Sequence, residues 1–248
     1  MITKDQIKNL SEIFQIDEFS IFREYLQLIF LSYLYQEKGA SKIIFKGGTA
    51  LRLLFGSPRF SEDLDFSTNY DDLEITRILT KIEEKINREL PGLTIKPLYK
   101  GKEGIRFRIT YRQDNFKYPF SIRLDFHSVA GSHIQKIILN TQISTLTTKF
   151  PIMIFPQVFH LSGEGIIIEK FDALESRNKG RDIFDIWFLL SKGTNIKSFD
   201  DKTIKTLKLF PQTTLERDLA KFLPRSQKQV ISNLKDETIQ LLLQGRTL

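Results

Sequence analysis

Apolar residues recur at helical spacing through residues 3–38, alternate with polar ones in short runs from about 42 to 150, and return to helical spacing further on. The first region predicts two helices, the second starting near Asp17 or Ser20 and stopping at Lys38-Gly39. The middle region predicts strands at 43–45, 64–67, 94–99, 105–111 and 121–127, interrupted by a helix over 73–89. Beyond Pro151 and Pro156 the pattern predicts helices at 166–177 and 182–191, then two or three more between 200 and 243. The order of elements reads as an α/β (α+β) chain, a mixed β-sheet flanked by helices and followed by a C-terminal helical bundle. The domains expected are a core over 1–155 with an N-terminal helical pair, and a helical domain over 156–248.

Composition narrows the chemistry. The chain has 248 residues, 41% of them hydrophobic and 27% charged, which suits a globular protein with one large or two small cores. Its 21 phenylalanines predict a Phe-rich core. The absence of cysteine excludes disulfides, thiol nucleophiles and thiolate metal sites. The longest apolar stretch, 22–35, contains Arg23, Glu24 and Gln27, so it is too short and too charged to span a bilayer, and no leader-like segment opens the chain. A cytoplasmic location is expected. The formal charge of +7 suits a polyanionic partner without demanding one.

Two motifs carry the chemistry. Lys46-Gly47-Gly48-Thr49 joins a short buried strand to an apolar helix, and its glycines let backbone N–H groups approach phosphate oxygens at a helix start. Thr49 is placed to cap that helix. Fourteen residues after Thr49, Asp63-Leu64-Asp65 alternates so that both carboxylates share one strand face, where a divalent cation would relieve their repulsion. Each motif alone is commonplace; the order strand, Gly-Gly, helix, loop, Asp-x-Asp is specific.

Arg123-Leu124-Asp125-Phe126 repeats the alternation. Asp125 reads either as a third carboxylate of a two-metal clamp, able to orient or deprotonate an acceptor hydroxyl, or as a strand residue paired with Arg123 or Arg108. In 169–190, Asn178 to Gly180 reads as a helix stop and Asp182 as the N-cap of the next helix. Asp185 falls among apolar residues and needs a partner, for which Lys170, Arg177 and Arg181 are candidates. Lys170 reads equally as a triphosphate contact and as a structural partner of Asp185. Lys202, Lys205 and Lys208, continued by Arg217, Lys221, Arg225 and Lys228, form either a solvated face or an RNA-binding surface. The three histidines show no ligand spacing, although His127 shares a strand face with Asp125.

Lys46-Gly47-Gly48-Thr49-Ala50-Leu51, 59–66, Glu169-Lys170-Phe171-Asp172-Ala173-Leu174 and 181–186 together resemble the AbiEii-type nucleotidyltransferase toxins of type IV toxin–antitoxin and abortive-infection systems. This branch of the DNA polymerase β-like superfamily includes the MenT toxins. The resemblance implies a nucleotidyltransferase fold, a nucleoside triphosphate (NTP) substrate and Mg²⁺ or Mn²⁺. It gives phosphate to Gly47 and Gly48, metal to Asp63 and Asp65, triphosphate contact to Lys170, and completion of the catalytic set to Asp185. Lys46, Thr49, Arg59, Arg177 and Arg181 join the nucleotide-binding candidates, and Asp125 occupies the superfamily's third carboxylate position. Similar proteins act on the 3′ end of transfer RNA and are encoded beside an antitoxin, so RNA and a cognate antitoxin are the expected partners. A phosphotransferase or protein-nucleotidylating activity at the same site, and a non-catalytic RNA- or partner-binding module, are the alternatives.

Overall fold

A computed structural model describes residues 1–101, 104–114, 116–196 and 199–245; the side chains of Ser132 and His133 also lie outside the described part. The chain divides into two units, one formed by Met1–Gly56 with Phe60–Leu161, the other by Ser57–Arg59 with Ser162–Leu248.

The first unit begins with helices α1 (Lys4–Phe14), closed by a Thr3–Gln6 capping box, and α2 (Glu18–Leu34), capped by Asp17. A 3₁₀ turn at Ala40–Lys42 leads into β1 (Ile43–Lys46), α3 (Gly47–Phe55), β2 (Leu64–Thr68) and α4 (Asp72–Ile86). Then follow β3 (Thr94–Gly101), β4 (Gly104–Tyr111), β5 (Phe120–Ser128), α5 (Ser132–Leu139), β6 (Thr141–Thr145) and β7 (Gln157–Leu161). The seven strands form one mixed sheet in the order β3-β4-β5-β2-β1-β7-β6. β2 runs parallel to β5 and β1 parallel to β7, while the other neighbours are antiparallel.

The hydropathy pattern does not announce α5, β6 or β7. Thr141-Gln142-Ile143-Ser144-Thr145 has a single apolar residue, so period-two alternation has nothing to register, and only pairing with β7 makes it a strand. The second helix also stops at Leu34, ahead of the expected Lys38-Gly39; Gly39, at φ 92°, instead precedes the 3₁₀ turn.

Alternation puts Phe45, Leu64, Phe66, Ile105, Phe107, Leu124 and Phe126 on the buried face of the sheet. Phe66 stacks on Phe126 at 4.9 Å and lies 5.5 Å from Phe45 between ring centres. Each such ring contributes roughly 1.5–3 kcal/mol by leaving water. α2 is buried nearly all round, and its polar residues are tied individually. Glu24 pairs with Arg52 at 2.9 Å, Arg23 with Glu62 at 3.0 Å, and Gln27 Nε2 donates to the Ser61 carbonyl. The last two hold the segment that enters β2, and so set where Asp63 stands.

The second unit comprises α6 (Gly163–Arg177), α7 (Gly180–Ser191), α8 (Asp201–Leu209), α9 (Gln212–Leu219), a 3₁₀ segment (Arg225–Ser232) and α10 (Leu234–Gly245). α7 packs against α6, α9 and α10. Asn178 ends α6 in the left-handed region at φ 50°, as its sequence predicts. Among the described residues, no helix is long and apolar enough to cross a membrane.

Candidate active site

β1 delivers Lys46 to the start of α3, whose first residue, Gly47, has φ +78°. Lys46 is the N-cap and makes no side-chain capping bond, so no cap side chain occupies the N–H groups at the positive end of α3. Thr49 does not cap this helix as expected. It lies within the first turn, 1% exposed, and its hydroxyl donates to the Asp63 carbonyl. The two motifs are thereby pinned together.

Lys46 stands opposite Asp65 in the β1–β2 register, and a Cβ on Gly47 would collide with the Asp65 carboxylate. The glycine is required twice over, by its positive φ and by this approach. Gly47→Ala should therefore displace Asp65 and reduce nucleotide transfer by about a hundredfold or more, while circular dichroism and thermal melting show a folded protein.

The parallel β2–β5 register sets Asp65 beside Asp125, with Arg106 next on β4. Arg123 bridges two carboxylates, 2.6 Å from Asp63 Oδ2 and 2.8 Å from Asp125 Oδ2. Arg106 Nε lies 2.6 Å from Asp125 Oδ1, although not aligned as a hydrogen bond. Of the partners expected for Asp125, Arg123 is found and Arg108 is not. No motif marks Arg106, yet Ile105, Phe107 and Ile109 alternate with Arg106, Arg108 and Thr110, and that alternation places Arg106 on the polar face.

Burial pushes the Asp63 carboxyl up to about 6; Arg123 opposes this, while Asp65, Asp125 and Glu62 reinforce it. A carboxyl raised by burial and by its like-charged neighbours gains by sharing a cation with them. Asp65 makes no ion pair among the described residues, and Asp63 engages Arg123 through one oxygen only. Two carboxylates beside a helix start fit a Mg²⁺ ion, which takes one or two protein carboxylates and completes its shell with substrate oxygens and water. Asp125 is already held by two guanidinium groups, and among the described residues no group of three or more His, Cys, Asp or Glu side chains is arranged to hold a metal.

In the second unit, Lys170, Asp182 and Asp185 are 6%, 0% and 0% exposed. Asp182 is not the N-cap of α7; Lys179 holds that position without a side-chain bond. Asp182 instead receives Lys170 Nζ at 2.9 Å and a fork from Arg177 at 2.7 and 2.9 Å. Asp185 receives Lys170 at 2.6 Å and a bidentate Arg59, both bonds 2.8 Å. Arg59 comes from 126 residues earlier, so no local spacing could reveal it. Arg181 takes no part in these ion pairs and lies over the Phe222 ring at 5.0 Å.

Burial alone would raise both aspartates, but Lys170 and Arg177 hold Asp182 down to about 2, and Arg59 with Lys170 depress Asp185. Burial would lower Lys170, and its two aspartates reverse that, so it is a permanent ammonium. His127 borders a recess with Tyr99, Arg106 and Asp125. His160 is buried, with Nε2 2.8 Å from the Ser144 hydroxyl.

The fold is similar to that of JHP933 from Helicobacter pylori, at 19% identity over 94% of this chain and 95% of that one, with a TM-score of 0.60. It is also similar to MenT4, a nucleotidyltransferase toxin from Mycobacterium tuberculosis H37Rv, at 16% identity over 100% of this chain and 91% of that one, again with a TM-score of 0.60. No curated protein matches the chain. A family profile described as "Nucleotidyl transferase AbiEii toxin, Type IV TA system" matches residues 29–244, which include the Gly-Gly turn, Asp63, Asp65 and Asp125, and the Lys170 network. The chain belongs to the AbiEii family of nucleotidyltransferase toxins.

Proposed function

We propose that this nucleotidyltransferase uses Mg²⁺ to move a nucleotide from an NTP to RNA, with the 3′ end of transfer RNA as the acceptor, and so blocks translation until a cognate antitoxin counters it in the cytoplasm. The observation that carries this reading is the apposition of the Gly47 turn to Asp65, with Asp63 two residues before it at the entrance to β2, where the Thr49 hydroxyl holds its carbonyl. The N–H groups of Gly47 and Gly48 bind phosphate, and Lys46 and Thr49 keep the turn in place. Asp63 and Asp65 hold the ion, which supplies charge neutralisation on the phosphates. The acceptor hydroxyl attacks the α-phosphorus, the bond to the bridging oxygen breaks, and pyrophosphate leaves. Asp125, steadied by Arg106 and Arg123, orients that hydroxyl and takes its proton. Lys170 is assigned to the triphosphate and Asp185 to fixing Lys170, with Arg59, Arg177 and Arg181 as supporting cations.

Incubation with each labelled NTP and total RNA should place label on RNA only when a divalent cation is present. Label on protein would select a protein-nucleotidylating enzyme instead, and no transfer under any condition would overturn the reading.

The raised Asp63 carboxyl gives a pH signature. At limiting metal, transfer should rise with pH through a midpoint near 6, because the proton and the cation compete for the same oxygens. Saturating Mg²⁺ should move that midpoint down. The folded protein keeps a proton that the unfolded chain releases near 3.8, so metal-free stability falls as pH rises from about 4 to about 6. Added Mg²⁺ should restore it, and thermal melts with and without the ion should diverge only as Asp63 ionises.

A further inference from the structure

The solvent face of β3, β4 and β5 carries two cross-strand rows that run into the carboxylates. In one row Lys96 stands opposite Arg108, Arg108 opposite Arg123, and Arg123 pairs with Asp63. In the other, Tyr99 stands opposite Arg106, Arg106 opposite Asp125, and Asp125 beside Asp65. Three cations directly opposite one another on neighbouring strands repel, which disfavours the free sheet. Arg123 is compensated by Asp63 and Asp125, whereas Lys96 and Arg108 are exposed and make no ion pair among the described residues.

Protection of a sheet edge would account for Lys96, since β3 is an edge strand and carries Pro97. It does not account for Arg108, which lies on an interior strand. A beta-bulge between Pro97 and Tyr99 supplies an independent observation. Unbroken pairing would put Tyr99 opposite Ile105, on the core side; the bulge moves it opposite Arg106, 54% exposed, with the guanidinium 5.4 Å from the ring centre. Beside this pair lies the recess bordered by Asp125 and His127. A strand irregularity thus turns an aromatic ring out to solvent at the end of a row leading to the site.

We infer that this face is the acceptor track: a single-stranded RNA 3′ end lays its phosphates along Lys96 and Arg108, and a terminal base stacks on Tyr99 and Arg106. The rows then lead the terminal ribose toward Asp63 and Asp65. A single strand fits better than a duplex because an exposed ring needs an unpaired base to stack on. The inference rests on the proposed transfer to RNA for its chemistry, but binding can be measured without transfer.

Fluorescence anisotropy of a labelled single-stranded oligoribonucleotide should show affinity falling about tenfold or more in Lys96→Gln/Arg108→Gln, with the slope of log K against log salt reduced by roughly 1.4 for two lost phosphate contacts. Tyr99→Ala should lose about tenfold with the slope unchanged. Calorimetric binding of Mg²⁺-NTP should stay as in the unaltered protein in both variants, because none of these side chains is placed in the nucleotide site; the melting temperature should hold in Tyr99→Ala and hold or rise in Lys96→Gln/Arg108→Gln, where a repulsion is relieved. Unchanged affinity and slope would overturn the track, as would equally tight binding of polyglutamate, which would mark a surface for acidic proteins. If the unaltered protein transfers nothing yet the variants lose RNA, the track stands and the transfer reading falls. If it labels RNA and the variants label and bind equally well, the transfer reading stands and the track falls.

Discussion

Asp65→Asn should transfer nucleotide at least about a thousandfold more slowly than the unaltered protein, a loss of roughly 4 kcal/mol of transition-state stabilisation. The substitution keeps the shape of the side chain beside Gly47 and removes one of two carboxylates proposed to hold the ion. Folding should not suffer. Asp65 makes no ion pair among the described residues, and its charge is one of those holding Asp63 up to about 6, so its removal relieves a repulsion and should lower the Asp63 carboxyl. A structural role would give the opposite pattern, with stability lost and activity falling only in proportion to the unfolded fraction. Rate assays on enzyme shown to be folded by denaturant titration separate the two, and transfer within about tenfold of normal would remove Asp65 from the proposed site.

The second large effect is on stability. Asp185→Ala should destabilise the protein by about 3–5 kcal/mol, because it strands Arg59 and shortens the anionic support of Lys170 inside the helical unit. The cost comes from the cations left behind: desolvating a guanidinium is tolerable while Asp185 binds it by two bonds of 2.8 Å, and not otherwise. Adding Arg59→Met should therefore recover much of the loss even though it deletes another polar group. Urea titration of the single and double variants measures this, and a loss below about 1 kcal/mol in Asp185→Ala would show that the network is not what holds these elements. The pH dependence has a definite sign. Asp182, held down to about 2, contributes stability that is complete above about 4 and is lost as pH falls toward about 2, and Asp185, also below its ordinary value, acts with the same sign. This is opposite in sign to the Asp63 contribution, so the acid limb of stability reports on the helical unit and the window near 6 on the sheet.

Such a network and the role proposed for Lys170 are compatible. Two aspartates keep it charged despite burial and fix where its ammonium stands. Lys170→Met should lose both stability and transfer, the latter by more than the unfolded fraction explains.

Much of this was legible in the chain itself. Period-two alternation at Asp63-Leu64-Asp65-Phe66, and again at Arg123-Leu124-Asp125-Phe126, specifies which side chains share a face, because side-chain direction in a strand depends only on position parity. The Gly-Gly turn announces close approach, because no other residue leaves the backbone so bare. The order of these motifs with 169–190 was enough to indicate the family. Alternation is silent, however, about which strands become neighbours. That β2 lies parallel to β5, bringing Asp125 beside Asp65, was decided by the packing of Phe66 on Phe126 and the order of the sheet.

Partner choice was likewise a tertiary matter. Thr49 and Asp182 both looked like caps, since local spacing predicts local hydrogen bonds, yet one reaches the Asp63 carbonyl and the other two cations on a neighbouring helix. β6 became a strand only by pairing, and the bulge that turns Tyr99 outward exists only where β3 meets β4. By itself, then, the sequence determined the elements with strong periodicity, the faces of the strands and the kind of chemistry, all of which follow from forces acting within a few residues. The tertiary structure decided the neighbours, the charge partners such as Arg59 of Asp185, and the surface that leads to the carboxylates. Those depend on desolvation and on contacts between residues far apart in the chain, which no short window of sequence contains.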